Sequence, residues 1–221
     1  LTSYMMLPWH ADVCRSTLRH LAHLQARSEN TFQAAQPGKI LHEVRHGELA
    51  LRGLVPHRPY YGTIDATPLF LIVIHRLIEQ ADDDSLLEEL RPNWEAALRW
   101  IVDRAIPEGD VFMRYVGAEP GEGLVVQSWK DSDDSMSYAD GTLARGSLAP
   151  VEVQGYAYAA FRAAERFYRS LGQESRANEW SERAEVLRGL FQERYWCERL
   201  QTYAMALDAD GRKLEVQSSN A

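Results

Sequence analysis

Residues 151–195 read VEVQGYAYAAFRAAERFYRSLGQESRANEWSERAEVLRGLFQERY, and this stretch decides the fold class. Between Val151 and Leu171, the residues Tyr156, Ala160, Ala163, Phe167 and Leu171 recur in steps of four and three, which places them on one face of an α-helix. Gly172 then supplies a stop, because glycine alone enters the left-handed conformation at a helix end without a Cβ penalty. From Ser175 to Tyr195, Trp180, Ala184, Leu187 and Phe191 repeat the same periodicity. The few residues between the two segments force an antiparallel helical hairpin.

Upstream, three more segments carry a helical period. Val13 to Ala26 places Leu18, Leu21, Ala22 and Gln25 in register, with Asp12 as a cap. Thr67 to Gln80 opens on a capping Thr67 and Pro68, and continues through Phe70, Val73, Ile74 and Leu77. Ser85 to Arg104 aligns Trp94, Leu98, Ile101 and Val102, with Pro92 expected to mark a kink or a short preceding turn. No strand-length alternation rivals these, so the expectation is an all-α protein of antiparallel hairpins. Ala81 to Ser85 is a short link, whereas the first-to-second and third-to-fourth connections run to roughly 40 residues or more, lengths that compact domains seldom carry without a function. In an up-and-down array both long loops emerge at the same end, so residues far apart in sequence converge there. A repeat solenoid is disfavoured, because the hairpins share neither a period nor a residue signature.

Composition narrows the function classes. The 221 residues suit one domain with a substantial core, and 45% hydrophobic with 25% charged residues is ordinary for a packed soluble protein. A net charge of −8 without any Lys/Arg run argues against a nucleic-acid partner. The longest apolar run, Leu69 to Ile74, is too short for a membrane span. Cys14 and Cys197 form no disulfide framework or metal motif, which suggests a reducing, cytoplasmic setting. The chain opens on Leu1 with no signal-like segment, so a processed or truncated start is expected.

The long loops carry the chemistry. The first contains PGKILHEVR (37–45) and HRPYYGTIDAT (57–67), and the second contains GLVVQSWKDSDDS (123–135), with EVQGY (152–156) opening the next helix. Aromatic rings beside carboxylates and amides suit a polyhydroxylated ligand, the ring covering a sugar's C–H face while polar groups pair with its hydroxyls. Glycoside hydrolysis needs one carboxyl group protonated and one ionised, and Asp131 is the candidate acid. Asp133, Asp134 and cover from Trp129 favour its protonated form, and an inward Lys130 opposes it, so the net sign is open. His20 with His23 and His42 with His46 have helical spacing but no third ligand, and Asp208 to Gly211 reads as a tight turn rather than a calcium loop. Trp94, Trp100 and Trp180 lie on helical stripes and read as core.

Four segments in order, PGKILHEVRHGELA (37–50), YYGTIDATPLF (60–70), QSWKDSDDS (127–135) and EVQGYAYAAF (152–161), resemble the glycogen-debranching amylo-α-1,6-glucosidase family within the (α/α)6-barrel glycosidases. The resemblance spans nearly the whole chain. It implies part of an (α/α)6 toroid of about twelve helices, an oligosaccharide or α-glucan substrate, and an inverting mechanism with no metal or organic cofactor. It also points to Asp131 as general acid, with Tyr60, Tyr61, Asp65, Gln127, Trp129, Lys130, Gln154 and Tyr156 around the sugar, and with His42, Glu43 and Arg45 binding or bracing. Five helices are fewer than twelve, so residues 1–221 are expected to be one domain truncated at both ends, with the partner base supplied from beyond Ala221. The rival expectations are a non-catalytic carbohydrate-binding helical domain and a scaffold that binds no sugar.

Overall fold

The computed structural model describes residues 2–81, 84–119 and 123–217, and about 47% of the described residues are helical. Among the described residues the α-helices are α1 (Thr2–Met6), α2 (Ala11–His23), α3 (Glu48–Leu51), α4 (Ala66–Ala81), α5 (Ser85–Glu89), α6 (Arg91–Trp100), α7 (Val151–Ser170) and α8 (Glu174–Tyr195). A π-helical turn, Ile101–Ala105, continues α6.

Helix α4 is central, because its apolar residues are distributed around the cylinder rather than along one stripe. Phe70, Leu71, Val73, Ile74, Leu77 and Ile78 are all buried, and α2, α6 and α7 each pack against it. Helix α7 offers Ala157, Ala160, Ala163 and Ala164, small buried side chains that let its backbone approach its neighbours closely. Trp94 of α6 closes the layer, with ring centroids 5.3 Å from Phe167 and 5.1 Å from Tyr168 of α7. At the hairpin tip Gly172 adopts φ +69°, its N–H donates to Arg169 O, and the N–H of Gln173 donates to Tyr168 O.

Four contacts fix the directions of the helices. Tyr61, before α4, donates to Leu24 O at the end of α2, and Gln80, at the other end of α4, donates to Leu7 O before α2. Tyr195 at the end of α8 donates to Ala149 O just before α7. Asp65 before α4 and Glu152 in the first turn of α7 interact electrostatically. Helices α2 and α8 therefore run antiparallel to α4 and α7, and residues 24–65, 106–119 and 123–150 meet at one end of the bundle.

Several expectations are corrected. Thr67 does not cap α4, which begins at Ala66; its hydroxyl accepts the N–H of Ile40 instead and ties the first loop to the helix. Asp12 lies inside the first turn of α2, which starts after His10 without a side-chain cap. The third helix is broken at Leu90 into α5 and α6, with Pro92 tolerated in the first turn of α6. Of the link Ala81 to Ser85, residues 82 and 83 lie outside the described residues, as do Leu1 and the final residues 218–221.

The structure is also not purely helical. Strands β1 (Tyr115–Val116), β2 (Ser147–Pro150) and β5 (Ala206–Leu207) form an antiparallel sheet in the order β1-β2-β5, and β3 (Trp196–Cys197) pairs with β4 (Thr202–Tyr203). Strands of two to four residues leave no readable alternation. They matter because Leu207 pairs with Ala149, and Val151 donates to Met205 O, which fastens the C-terminal segment against the start of α7. Asp208 forms the expected turn, its Oδ1 accepting the N–H groups of Asp210 and Arg212. Trp94 and Trp100 are buried and Trp180 is half-buried, while His20 and His23 are exposed on α2. No described helix is long and apolar enough to cross a membrane.

Candidate active site

The two long loops are stitched together before they present any side chain. Tyr60 is buried, its backbone pairs with Glu43, and its hydroxyl accepts the N–H of Leu124. Gly62 and Gly123 are obligatory beside it, because a Cβ at either position would strike the Tyr60 phenol. Ile64 N–H donates to Gln127 O at 2.8 Å, so residues 63–66 and 127–131 run side by side.

Between them lies a cavity of about 490 Å³ lined by His42, Asp65, Trp129 and Asp131, with α2 and α4 supplying apolar residues such as Leu21 and Phe70. Asp65 is buried directly before α4, and Thr63 donates its hydroxyl to Asp65 Oδ1. Burial pushes the Asp65 carboxyl upward, against the Thr63 hydrogen bond and the nearby His42. Trp129 is 51% exposed, and Asp131 is exposed beside it. Asp133 and Asp134 are exposed outside the cavity lining. The loop itself is held by Ser135 Oγ, which donates to Lys130 O, and by Arg145, which donates to Asp133 O.

Lys130 reaches from the loop toward α7 with its ammonium 5.8 Å from the centroid of the Trp129 ring. Its ammonium lies 3.8 Å from Glu152 Oε1, with side-chain exposures of only 16% and 3%. Burial raises the Glu152 carboxyl above its ordinary range, Lys130 pulls it down, and Asp65 pushes it up. Tyr156, one turn further along α7, is half-buried, and burial together with Glu152 and Asp65 raises its phenol.

Residues 7–218 match the amylo-alpha-1,6-glucosidase family. The chain belongs to that family. A comparison with curated proteins gives no match. In this amylo-α-1,6-glucosidase family member, every expected site residue falls within the matched range, yet the structure divides them into two groups.

His42, Asp65, Trp129 and Asp131 share the cavity. Tyr61, Gln154 and Gln127 are committed elsewhere. Tyr61 donates to Leu24 O at 2.5 Å, and the Gln154 amide accepts from Met113 N–H and donates to Met113 O and Pro150 O. Gln127 lines a different cavity behind the 63–66 segment. Glu43 and Arg45 form a bidentate pair at 2.9 Å, and His57 Nδ1 lies 2.7 Å from Glu43 Oε1. Burial raises the Glu43 carboxyl, but Arg45 and His57 outweigh it and hold the group below its usual value. These three side chains are thus paired with one another.

Thr63 and Glu152 carry no role that the sequence alone displays. The one available signal for Glu152 was a carboxylate in the first turn of the helix that follows the Trp-Lys-Asp loop. A helix start faces that loop whenever the loop leads into it.

Proposed function

We propose that this chain supplies part of the active site of an inverting glycosidase for α-glucosidic linkages, with its hairpins belonging to an (α/α)6 toroid. Asp131 acts as the general acid and protonates the departing glycosidic oxygen. Trp129 covers the sugar's C–H face. Asp65, its proton affinity raised by burial, accepts hydrogen bonds from sugar hydroxyls alongside His42 and Tyr156. Tyr60, Tyr61, Gln127 and Gln154 shape the pocket from behind, and the Lys130–Glu152 pair anchors the loop between Trp129 and Asp131.

The observation that carries this reading is the cavity itself, which gathers Asp131, Trp129, Asp65 and His42 from three separate segments at one end of the bundle. Asp65, the other carboxylate on that cavity, is buried and engaged by Thr63, which suits a binding role better than activation of water. The base is therefore assigned outside residues 1–221, at the roughly 6.5–9.5 Å separation that leaves room for a water. A reducing, cytoplasmic setting fits the free, buried thiols of Cys14 and Cys197.

Leaving-group chemistry tests the role of Asp131. Isomaltose needs a proton on its departing oxygen, whereas the fluoride of α-glucosyl fluoride departs without one. Asp131→Asn in the intact protein is expected to abolish isomaltose hydrolysis and to retain turnover of the fluoride. Equal loss on both substrates, or equal retention, would reject Asp131 as the acid. Sugar binding without any turnover by the unaltered protein would favour a carbohydrate-binding domain.

A further inference from the structure

Residues 63–66 have a second side. Asp65 and Ala66 face the cavity with Trp129 and Asp131, while Thr63 and Ile64 line another cavity of about 410 Å³. Gln127 lies on this second lining, so the two cavities share both loop segments as a common wall.

The second cavity contains a buried cation with few partners. Lys39 is 6% exposed, and its ammonium reaches one acceptor, Ala34 O, at 3.4 Å. It also lies 5.4 Å from the centroid of the Trp100 ring. Gly38 dictates this placement. At φ +92° a Cβ there would run into Ala96 O and Trp100 Cβ, so glycine alone lets the loop press onto α6 and set Lys39 over the indole. An ammonium offers three donors, and a single long acceptor leaves most of that capacity unused. Such burial is costly unless an opposite charge compensates it, and burial lowers the Lys39 pKa to about 8.

The surroundings favour an anion. Arg104 and Arg114 join Lys39 on the lining, against Glu29 as its one carboxylate among the described residues. Glu29 is engaged by Arg104 at 3.1 Å and attracts Lys39 only from beyond ion-pair distance, and Arg114 is held by Asp110 at 2.6 Å, so Lys39 is the cation on this lining with no ion pair among the described residues. Tyr115, on the same lining, has a buried hydroxyl with no hydrogen-bond partner among the described residues. The volume falls within the range of small-molecule sites and is many times the roughly 30 Å³ of one water, far more than a lone ion needs.

We infer that this cavity is a binding site for a small organic phosphate monoester, whose phosphate pairs with Lys39 and whose organic part fills the space toward Tyr115 and Gln127. The site stands apart from the proposed sugar subsite and does not depend on its chemistry.

Calorimetry on the intact protein tests the assignment with glucose 6-phosphate as the probe, and with inorganic phosphate and glucose as controls. Glucose 6-phosphate is expected to bind more tightly than either control, and Lys39→Met is expected to weaken it about tenfold or more, the scale of a lost charged hydrogen bond. A second measurement needs no variant. The chain has three lysines, Lys39, Lys130 and Lys213, so amine acetylation read by peptide mass spectrometry separates this cavity, the buried Lys130–Glu152 pair under the neighbouring loop, and Lys213 at the Trp196 carbonyl. At saturating ligand, Lys39 labelling is expected to slow by at least about fivefold, with Lys130 and Lys213 unchanged. Absence of binding, undiminished binding by Lys39→Met, or protection of Lys130 instead of Lys39 would each overturn the inference. Equal affinity for inorganic phosphate would overturn the monoester and leave the ion alone as ligand.

Discussion

Lys130 Nζ lies 3.8 Å from Glu152 Oε1 beneath the loop that presents Trp129 and Asp131, and neither group has a hydrogen-bond partner among the described residues. The pair joins the loop to the first turn of α7 through charge alone. Burial raises the Glu152 carboxyl despite Lys130, so the folded state holds its proton to higher pH than the unfolded chain does. Stability from this group is present at low pH and is lost as pH rises through the folded value. Lys130→Met removes the compensating cation and is expected to destabilise the protein at pH 7.5 by about 1–3 kcal/mol, given the partial exposure of the lysine. The deficit should shrink as pH falls from 7.5 toward 5, because burial lets Glu152 take up its proton more readily than an ordinary carboxyl. Urea unfolding of both proteins at the two pH values measures this.

Trp129 is half-exposed over the cavity, and its loss should act on binding rather than on folding. Trp129→Ala is expected to weaken sugar affinity about tenfold, the scale of one aromatic face, with a urea midpoint close to that of the parent. Calorimetry with maltose or isomaltose, paired with an unfolding curve, separates the two effects.

Trp94 represents the opposite case. It is fully buried, donates from its indole N–H to Leu87 O, and meets Phe167 and Tyr168 of α7. Trp94→Ala opens a void among α5, α6 and α7 and leaves the Leu87 carbonyl without its donor. The expected cost is about 3–5 kcal/mol, read as a lowered midpoint in denaturant unfolding.

Lys39 makes a pH prediction of the opposite sign to that of Glu152. Its folded pKa of about 8 lies below the ordinary 10.5, so the folded state releases a proton that the unfolded chain keeps. Its penalty is fully present below about pH 8 and fades as pH rises toward 10.5. Lys39→Met is therefore expected to be more stable than the parent at pH 7, by on the order of 3 kcal/mol at most, with the gain shrinking by pH 10. Unfolding free energies of the two proteins at both pH values check it.

The helical frame was legible because its signal is periodic and local. The stripe from Tyr156 to Leu171 and the glycine stop after it place α7 and α8 within a residue of their observed bounds. Where the period runs across a break, as at Leu90, periodicity alone joins α5, α6 and the π-helical turn, and Pro92 is the only local sign of the interruption. The short strands were silent because two to four residues carry no alternation.

At the site, loop lengths foretold that 42–65 and 127–131 would meet, which brings His42, Asp65, Trp129 and Asp131 to one cavity. Residue type could not reveal what each side chain touches. Tyr61 and Gln154 look like sugar ligands in a string of letters, yet their polar atoms are spent on Leu24, Met113 and Pro150. The approach of Lys130 to Glu152 and the isolation of Lys39 depend on packing between distant segments, and no spacing rule encodes it.

The central claim is that Asp131 and Trp129 belong to an inverting α-glucosidase site. The most direct measurement is NMR of the anomeric protons during the first turnovers of isomaltose and panose by the intact protein. The account predicts β-glucose as the initial product, followed by slow mutarotation. Initial release of α-glucose, or no release from well-folded protein, would contradict it.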